Sequence, residues 1–213
     1  MTVYNVAPAA LSAPVSEVDT TSPNNTRTFN GFDVTLNARF PNGAFLTAGT
    51  STGRDVSKTC DVTDPNATRN CDQSAFDIPF LTTFKGTASY PLWRGARIGA
   101  VFQSTPGDAL SYTYLVTAAN FRTLTGVTMG QSSVTLRLSE PGSQYLKRVN
   151  QLDLTLAKPF KTPHGITFSP EISLFNVLNA NPVLSATTAY PAVGTPLAIL
   201  DGRLLRFNLQ MRF

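Results

Sequence analysis

The end of the chain carries the feature that most restricts its fold, a strict alternation of apolar and polar side chains. From Leu205 to Phe213 every odd position is apolar and every even position is polar. Successive side chains of a β-strand point to opposite faces, so this period of two predicts a strand with one apolar face and one polar face. The same alternation recurs upstream, most clearly over Phe32–Phe40 and Ile166–Leu174. Because no segment of useful length shows the helical period, we expect an all-β chain.

Segments of this kind divide the chain into seven predicted strands, joined in order as an antiparallel meander. They cover residues 32–40, 44–54, 79–90, 96–104, 146–160, 165–178 and 202–213. Most exceed the roughly 5–6 residues usual for a strand. They fit the roughly 9–11 residues that a tilted strand needs to cross a bilayer. Between the fourth and fifth strands we expect local hairpin strands at Leu110–Thr117 and Val134–Leu138.

The connections between the predicted strands alternate between short and long. In order they cover residues 41–43, 55–78, 91–95, 104–144, 161–165 and 179–197. An outer-membrane barrel has short periplasmic turns and long extracellular loops, whereas a soluble β-sandwich has no reason for this asymmetry. We therefore assign the short turns to the periplasm, the polar faces to the lumen and the apolar faces to lipid.

Aromatic residues gather at the short-turn ends of the predicted strands, where Phe40, Tyr90, Trp93, Phe160 and Phe213 all lie. Aromatic rings prefer the membrane–water interface. These five residues are therefore predicted interface aromatics. The alternative is that bulky side chains close the core of a sandwich.

Composition excludes several classes of function. Charged residues make up 14% of the chain, against roughly 25% in an average soluble domain. The net charge of +4 is scattered, which argues against nucleic acid as a partner. His164 is the single histidine and lies in a predicted turn, so no histidine-dependent metal site or catalytic triad is indicated. We expect neither an enzyme nor a bound cofactor or metal.

An odd number of strands cannot close as an antiparallel barrel. The first and last strands would pair in parallel, and bacterial single-chain barrels have even strand counts. An open edge in lipid leaves unpaired backbone groups that cost several kcal/mol each. Residues 1–30 contain no signal peptide and no clean alternating run, so they are predicted to be an extracellular loop or a poorly ordered segment. We expect residues 31–213 to be the C-terminal part of a larger barrel; the alternative is an eighth strand hidden in residues 1–30.

The first predicted long loop contains both cysteines, Cys60 and Cys71. An oxidising cell exterior favours a disulfide between them, and the alternative is a pair of free thiols in a cytosolic chain. The same loop is rich in side-chain oxygens, which could bind Ca²⁺. Its spacing fits no calcium loop, and a solvated turn at Asp64–Asn66 is the better interpretation.

Two segments near the end of the chain resemble elements of a known family. Ser173–Asn181 is similar to the Asn-Leu-Phe-Asn element of the penultimate strand of TonB-dependent receptors, and Leu204–Phe213 is similar to their terminal strand. Gln151–Leu156 matches the preceding strand, and Pro196–Leu204 resembles the Oar-like group, which has a carboxypeptidase-regulatory-like domain. The chain from Gly31 to Phe213 thus resembles the C-terminal third of such a receptor.

The resemblance implies a 22-stranded barrel in the bacterial outer membrane, with a plug and with energy supplied through TonB. This chain would supply barrel wall, substrate-contacting loops and the signal read by the barrel-assembly machinery. The signal residues would be Phe207, Leu209, Met211 and Phe213. The implied partners are the lipid bilayer with its lipopolysaccharide, the assembly machinery, the rest of the barrel and plug, and TonB through the part not present here.

Loop aromatics are weak candidates for substrate contact, because such residues more often serve loop packing. They are Tyr112, Tyr114, Phe121 and Tyr190. Two other interpretations of the chain stay open. One is a complete eight-stranded membrane barrel with a structural or adhesive role. The other is a secreted β-sandwich that binds carbohydrate.

Overall fold

The computed structural model of the chain describes residues 2–6, 10, 14 and 21–213. In the described part, twelve strands and one α-helix form, with 3₁₀ turns in the connections. The strands are β1 (Thr26–Arg39), β2 (Phe45–Lys58), β3 (Leu81–Pro91), β4 (Arg97–Thr105), β5 (Thr113–Thr117), β6 (Ser133–Arg137), β7 (Val149–Ala157), β8 (Phe160–Lys161), β9 (Thr167–Phe175), β10 (Val183–Ala186), β11 (Pro196–Ile199) and β12 (Leu204–Arg212). The helix is α1 (Ala118–Thr125).

Seven long strands form one antiparallel sheet in the order β1-β2-β3-β4-β7-β9-β12, with β8 paired to β9. The all-β meander predicted from the sequence is therefore confirmed. Among the described residues, β1 pairs only with β2, and β12 pairs only with β9. Each of these two edge strands therefore presents a free edge. Because the meander holds an odd number of long strands, β1 and β12 run in the same direction.

The register places apolar side chains in continuous rows across the sheet. One row crosses all seven long strands and is apolar at each of them. It consists of Ala38, Leu46, Ala88, Ala100, Leu154, Leu174 and Leu205. The next row toward the short turns includes Tyr90, Ile98, Leu156, Ile172 and Phe207. The faces that the alternation predicted strand by strand thus join into one apolar face.

The opposite face carries the polar side chains in the same manner. A row on it runs from Arg39 through Phe45, Ser89, Gly99, Thr155 and Ser173 to Arg206. Phe45 on β2 is the one large apolar side chain in this row, and the other members are polar or small. We refer to the two faces of the sheet as the apolar face and the polar face.

Tight turns join the strands at one end of the sheet. After β1, the Phe40 N–H donates to the carbonyl of Ala44 at 2.9 Å, and Gly43 adopts a φ of +83°. The turn before β9 is closed in the same way, by the Thr162 N–H on the Ile166 carbonyl at 2.8 Å. Gly43 and Gly165, which has a φ of +81°, supply the left-handed conformation that such turns require.

The structure differs from the predictions at particular boundaries. The first strand begins at Thr26, inside the segment assigned to the N-terminal loop, and much of the rest of that segment lies outside the described residues. The two predicted local hairpin strands are confirmed, since β5 pairs with β6 in the second long connection. The expectation that no helix forms is wrong for α1.

Helix α1 owes its ends to capping rather than to a long apolar stripe. The Thr117 hydroxyl accepts a hydrogen bond from the Asn120 N–H at 3.2 Å, and Gly126 ends the helix with a φ of +72°. Among the residues that the structure describes, no helix is long and apolar enough to cross a membrane.

Candidate functional site

The burial of side chains on the two faces of the sheet is reversed relative to a sheet that folds in water. In the seven long strands, Ser89 and Ser173 are the buried residues, and both lie on the polar face. Large side chains of the apolar face are exposed, with Phe207 at 71% and Leu209 at 57%. A sheet folded in water normally covers its apolar side and exposes its polar side. Here the apolar side is the uncovered one.

Hydrogen bonds connect side chains along the polar face near its long-loop end. The Gln103 amide donates to the Gln151 carbonyl oxygen at 3.0 Å, and the Gln151 amide donates to the Asp153 carboxylate at 3.0 Å. Asp153 also accepts from the Asn176 backbone N–H at 2.8 Å. A row of fixed polar groups therefore lines this face over β4, β7 and the end of β9.

The predicted interface aromatics all lie at the end of the sheet that carries the tight turns. Phe40, Tyr90, Trp93, Phe160 and Phe213 are exposed there. The Lys158 ammonium group lies 4.8 Å from the centre of the Phe160 ring. The four predicted assembly-signal residues, Phe207, Leu209, Met211 and Phe213, are exposed at the β12 edge.

The three long connections meet at the opposite end of the sheet and pack into one unit, which we call the loop cap (residues 2–6, 59–80, 106–148 and 176–203). Its centre is a small apolar core formed by Val116, Met129, Val134 and Leu136. Met129 is 4% exposed and Leu136 is 5% exposed. Phe121 packs against this core from α1, so its ring takes part in loop packing.

The first loop of the cap is fixed by a covalent bond and by local caps. Cys60 and Cys71 form a disulfide, as predicted, with Cα atoms 5.0 Å apart. The Asp64 carboxylate accepts from the Asn66 N–H at 2.8 Å, which produces the turn expected at this position. In the described part of the chain, no group of three or more His, Cys, Asp or Glu side chains could hold a metal ion.

Two carboxyl groups of this loop have lowered pKa values because hydrogen bonds favour their charged form. The Ser22 hydroxyl and then the Asn24 amide lower the pKa of Asp61. The Ser74 hydroxyl and backbone N–H, together with the nearby Lys58 ammonium group, lower the pKa of Asp72. Both carboxylates are therefore ionised at neutral pH and hold the loop against its neighbours.

A short N-terminal segment joins the first loop to the second. The Tyr4 N–H donates to the Asn66 side-chain oxygen at 2.8 Å, and the Asn66 amide donates back to the Tyr4 carbonyl at 2.9 Å. Asn5 reaches the second loop, where it donates to the Thr128 carbonyl at 3.0 Å and accepts from the Gly130 N–H at 2.7 Å. The segment thus bridges two loops of the cap.

The third loop joins the cap through β5. The Thr113 N–H donates to the Thr188 carbonyl, and the Tyr190 N–H donates to the Thr113 carbonyl, at 2.9 and 2.8 Å. Tyr114 and Tyr190 meet edge to face, with ring centres 5.7 Å apart. Two of the four predicted contact aromatics are therefore brought together. Tyr112 donates its hydroxyl proton to the Gln144 side-chain oxygen.

Asn176 is a structural residue that reasoning from residue types alone did not single out. It is 2% exposed, and its amide donates to the carbonyls of Ala180 and Asp201, each at 2.8 Å. Its oxygen accepts from the Ala180 N–H at 2.9 Å. Asn176 thereby closes the turn after β9. Its place in the Ser173–Asn181 element was the available signal.

No protein-family model, curated protein or solved structure matches this chain. The resemblance to TonB-dependent receptors therefore stays a prediction.

Proposed function

We propose that this chain forms part of the wall, together with its loop cap, of a TonB-dependent receptor-type barrel in the bacterial outer membrane. The observation that carries the proposal is the inverted sheet, in which the polar face holds the buried residues and the apolar face is open. An apolar face of this width is unfavourable in water at about 25 cal/mol for each Å² exposed. Hydrocarbon removes that cost, so lipid is the medium that suits the sheet.

The two ends of the sheet support a defined orientation in the membrane. Outer-membrane barrels have short turns on the periplasmic side and long loops on the outer side. The tight-turn end of this sheet carries the five exposed aromatic residues, and the other end carries the disulfide-linked cap. We place the cap outside the cell, where an oxidising environment maintains disulfides.

The free edges of β1 and β12 define what must complete the wall. In lipid each unpaired backbone group costs several kcal/mol, so both edges need partner strands. Because β1 and β12 run in the same direction, only an odd number of further strands closes the barrel with antiparallel pairs throughout. We propose that the remainder of the same barrel supplies them.

The role of the chain in such a receptor is non-enzymatic. The polar network of Gln103, Gln151 and Asp153 would line the lumen and face the plug, and the cap would contact substrate. The exposed β12 residues would be read by the barrel-assembly machinery. Contact with TonB would take place through the plug-bearing part of the protein.

Spin labels at two adjacent positions of β7 test this proposal. Leu154→Cys places a label on the apolar face and Thr155→Cys places one on the polar face at nearly the same depth. The native cysteines do not compete, because they are joined in a disulfide. The labelled protein is studied in membranes with oxygen, which partitions into lipid, and with a water-soluble nickel complex as relaxing agents.

We expect relaxation by oxygen at position 154 to be much stronger than at position 155. Low accessibility of position 154 to both agents would instead place the apolar face inside a protein core, as in a secreted sandwich. Strong relaxation of position 154 by the nickel complex would place this face in water and exclude the membrane wall.

A further inference from the structure

The loop cap contains a cleft of about 400 Å³ between its first and second loops. Gln73 and Ile78 line one side, and Arg137, Glu140 and Tyr145 line the other. Asp55 at the end of β2 forms part of the floor and belongs to the same face as Ser51 and Gly53. The cleft therefore opens where the polar face meets the cap.

The size of the cleft limits its occupant. Sites for small ligands usually measure about 300–1,000 Å³, so this one is near the lower limit and has room for a mono- or disaccharide. Its wall is drawn close at Gly142, which has a φ of +73°. A Cβ atom added there would lie 2.8 Å from Ile78 Cδ1, and the left-handed backbone conformation disfavours most other residues at this position.

Three charged residues line the cleft, Asp55, Arg137 and Glu140, and their charges balance once Arg27, which lies outside the lining, is counted with Asp55. The Asp55 carboxylate is already paired with the Arg27 guanidinium group. Arg137 and Glu140 carry opposite charges, and among the described residues neither forms an ion pair. A balanced lining gives no net attraction to a strongly anionic chelate or to a cation. It favours an uncharged ligand that hydrogen-bonds to both signs of charge.

The two side-chain amides that line the cleft, Gln73 and Gln144, have their oxygens engaged, while their NH₂ groups form no hydrogen bond among the described residues. The Gln73 oxygen accepts from the Ser57 N–H at 3.0 Å, and the Gln144 oxygen accepts from the Tyr112 hydroxyl. Tyr145 adds a hydroxyl group, and burial raises its pKa, so it stays protonated. Fixed donors, a carboxylate acceptor and an aromatic ring thus surround one small space.

We propose that this cleft binds a neutral sugar of one or two rings. Sugar hydroxyl groups both donate and accept, so they match the free guanidinium, amide and carboxylate groups of the cleft. The C–H face of a sugar ring matches the Tyr145 ring and the Ile78 side chain. That the sugar is a transported substrate rests on the proposed function; the binding itself rests on the cleft alone.

Binding of the full chain to an array of neutral glucose, galactose and mannose mono- and disaccharides tests the proposal. Arg137→Gln removes the free guanidinium group, and Tyr145→Phe removes only a hydroxyl group. Arg122→Gln on α1 is the matched control, because it deletes the same charge from the same loop outside the cleft. Protection of the β5 and β6 amides against hydrogen exchange, compared with wild type, verifies that the cap of each variant is folded.

We expect at least one sugar to bind, with affinity reduced about tenfold or more by Arg137→Gln and less by Tyr145→Phe. Arg122→Gln should change affinity less than twofold. The proposal is overturned if folded protein binds no sugar of the array, or if Arg137→Gln and Arg122→Gln have equal effects. Sugar binding by a protein whose Leu154 label is inaccessible to oxygen would retain the cleft and reject the membrane wall.

Discussion

The sheet and the loop cap of this chain distribute their side chains in opposite ways. The cap encloses Val116, Val134 and Leu136 in a small core, as a protein folded in water does. The sheet buries Ser173 and leaves Leu156, Ile172 and Phe207 of its apolar face exposed. Apolar side chains are thus buried in the cap and exposed on the sheet. Under the proposed function, the difference reflects the surroundings of each region, which are water for the cap and lipid for the sheet. Substitutions in both regions test whether the sheet and the cap have different surroundings.

The largest effect is expected from truncating the core of the cap. Leu136→Ala deletes a 5% exposed side chain and should lower the free energy of unfolding of the cap by about 2–5 kcal/mol. Leu209→Ala in the sheet removes a side chain that is already exposed and should cost less. Hydrogen exchange of the amides in β5 and β6 measures the first effect. Equal costs for both substitutions would contradict the contrast between the regions.

The second-largest loss of stability is expected from an arginine substitution on the apolar face of β7, compared with one on its polar face. Leu154→Arg should destabilise the membrane-inserted protein by about 2–4 kcal/mol, because it places a charge in hydrocarbon. Thr155→Arg, directed to the polar face, should cost clearly less. Urea titration of the protein in lipid vesicles measures both. A similar cost at the two positions would show that the faces do not meet different solvents.

Loss of the disulfide should affect the cap and spare the sheet. The double variant Cys60→Ser, Cys71→Ser lacks the disulfide. In the chain-entropy model, a disulfide that closes a loop of this length contributes about 3 kcal/mol to the free energy of unfolding. We expect faster proteolysis within residues 59–80 and unchanged exchange in β7. Reduced wild-type protein is the matched control and should behave as the double variant does. Destabilisation of β7 as well would mean that cap and sheet unfold together.

A smaller loss of stability is expected at the start of helix α1. Thr117→Ala removes the hydroxyl group that caps α1 and should cost about 1 kcal/mol, seen as faster exchange of the α1 amides. Thr117→Ser keeps the hydroxyl group and should behave as wild type. If alanine and serine are equivalent, packing of Phe121 rather than capping holds the helix.

Acid gives the smallest effect, confined to the first loop. The lowered pKa of Asp72 means that its contribution to stability is present above its ordinary pKa near 3.8 and is lost as the pH falls through the still lower folded value. Protection of the Ser74 amide against exchange should therefore decrease below about pH 4. Asp72→Ala, which removes the accepting oxygen, should show the low protection at every pH. A pH-independent wild type would mean that the carboxylate does not hold this turn.

The sheet could be predicted from the sequence because the alternation that produces each strand is local in sequence. Alternation over Phe32–Phe40 or Leu205–Phe213 is visible within one strand, and the register then follows from the tight turns. The start of β1 was missed because Phe29 lies on the polar-face side of the alternation. A Cβ atom added at Gly53 would lie 2.4 Å from the Phe29 ring, so this aromatic side chain covers a glycine. A pattern based on polarity does not reveal such a pairing.

The cap could be predicted only in part, because its contacts are distant in sequence. Its disulfide and its Asp64 turn follow from residue types within one loop. The contact of Tyr4 with Asn66 spans 62 positions, and that of Asn5 with Thr128 spans 123. Polar side chains on different loops find each other through geometry that no periodicity encodes. The missed helix differs, since Thr117 and Gly126 are ordinary capping residues that frame it.

The long strands of the sheet differ in length. Strands β1 and β2 each contain 14 residues, whereas β12 contains 9. The difference amounts to about 17 Å along the strand at about 3.4 Å per residue. Under the proposed function, with the tight turns level at the periplasmic surface, the β1–β2 hairpin would extend farther outward than β12. The Ser57 N–H on the Gln73 side-chain oxygen joins the cap to the extended part of this hairpin, so the cap would lie toward this side of the receptor.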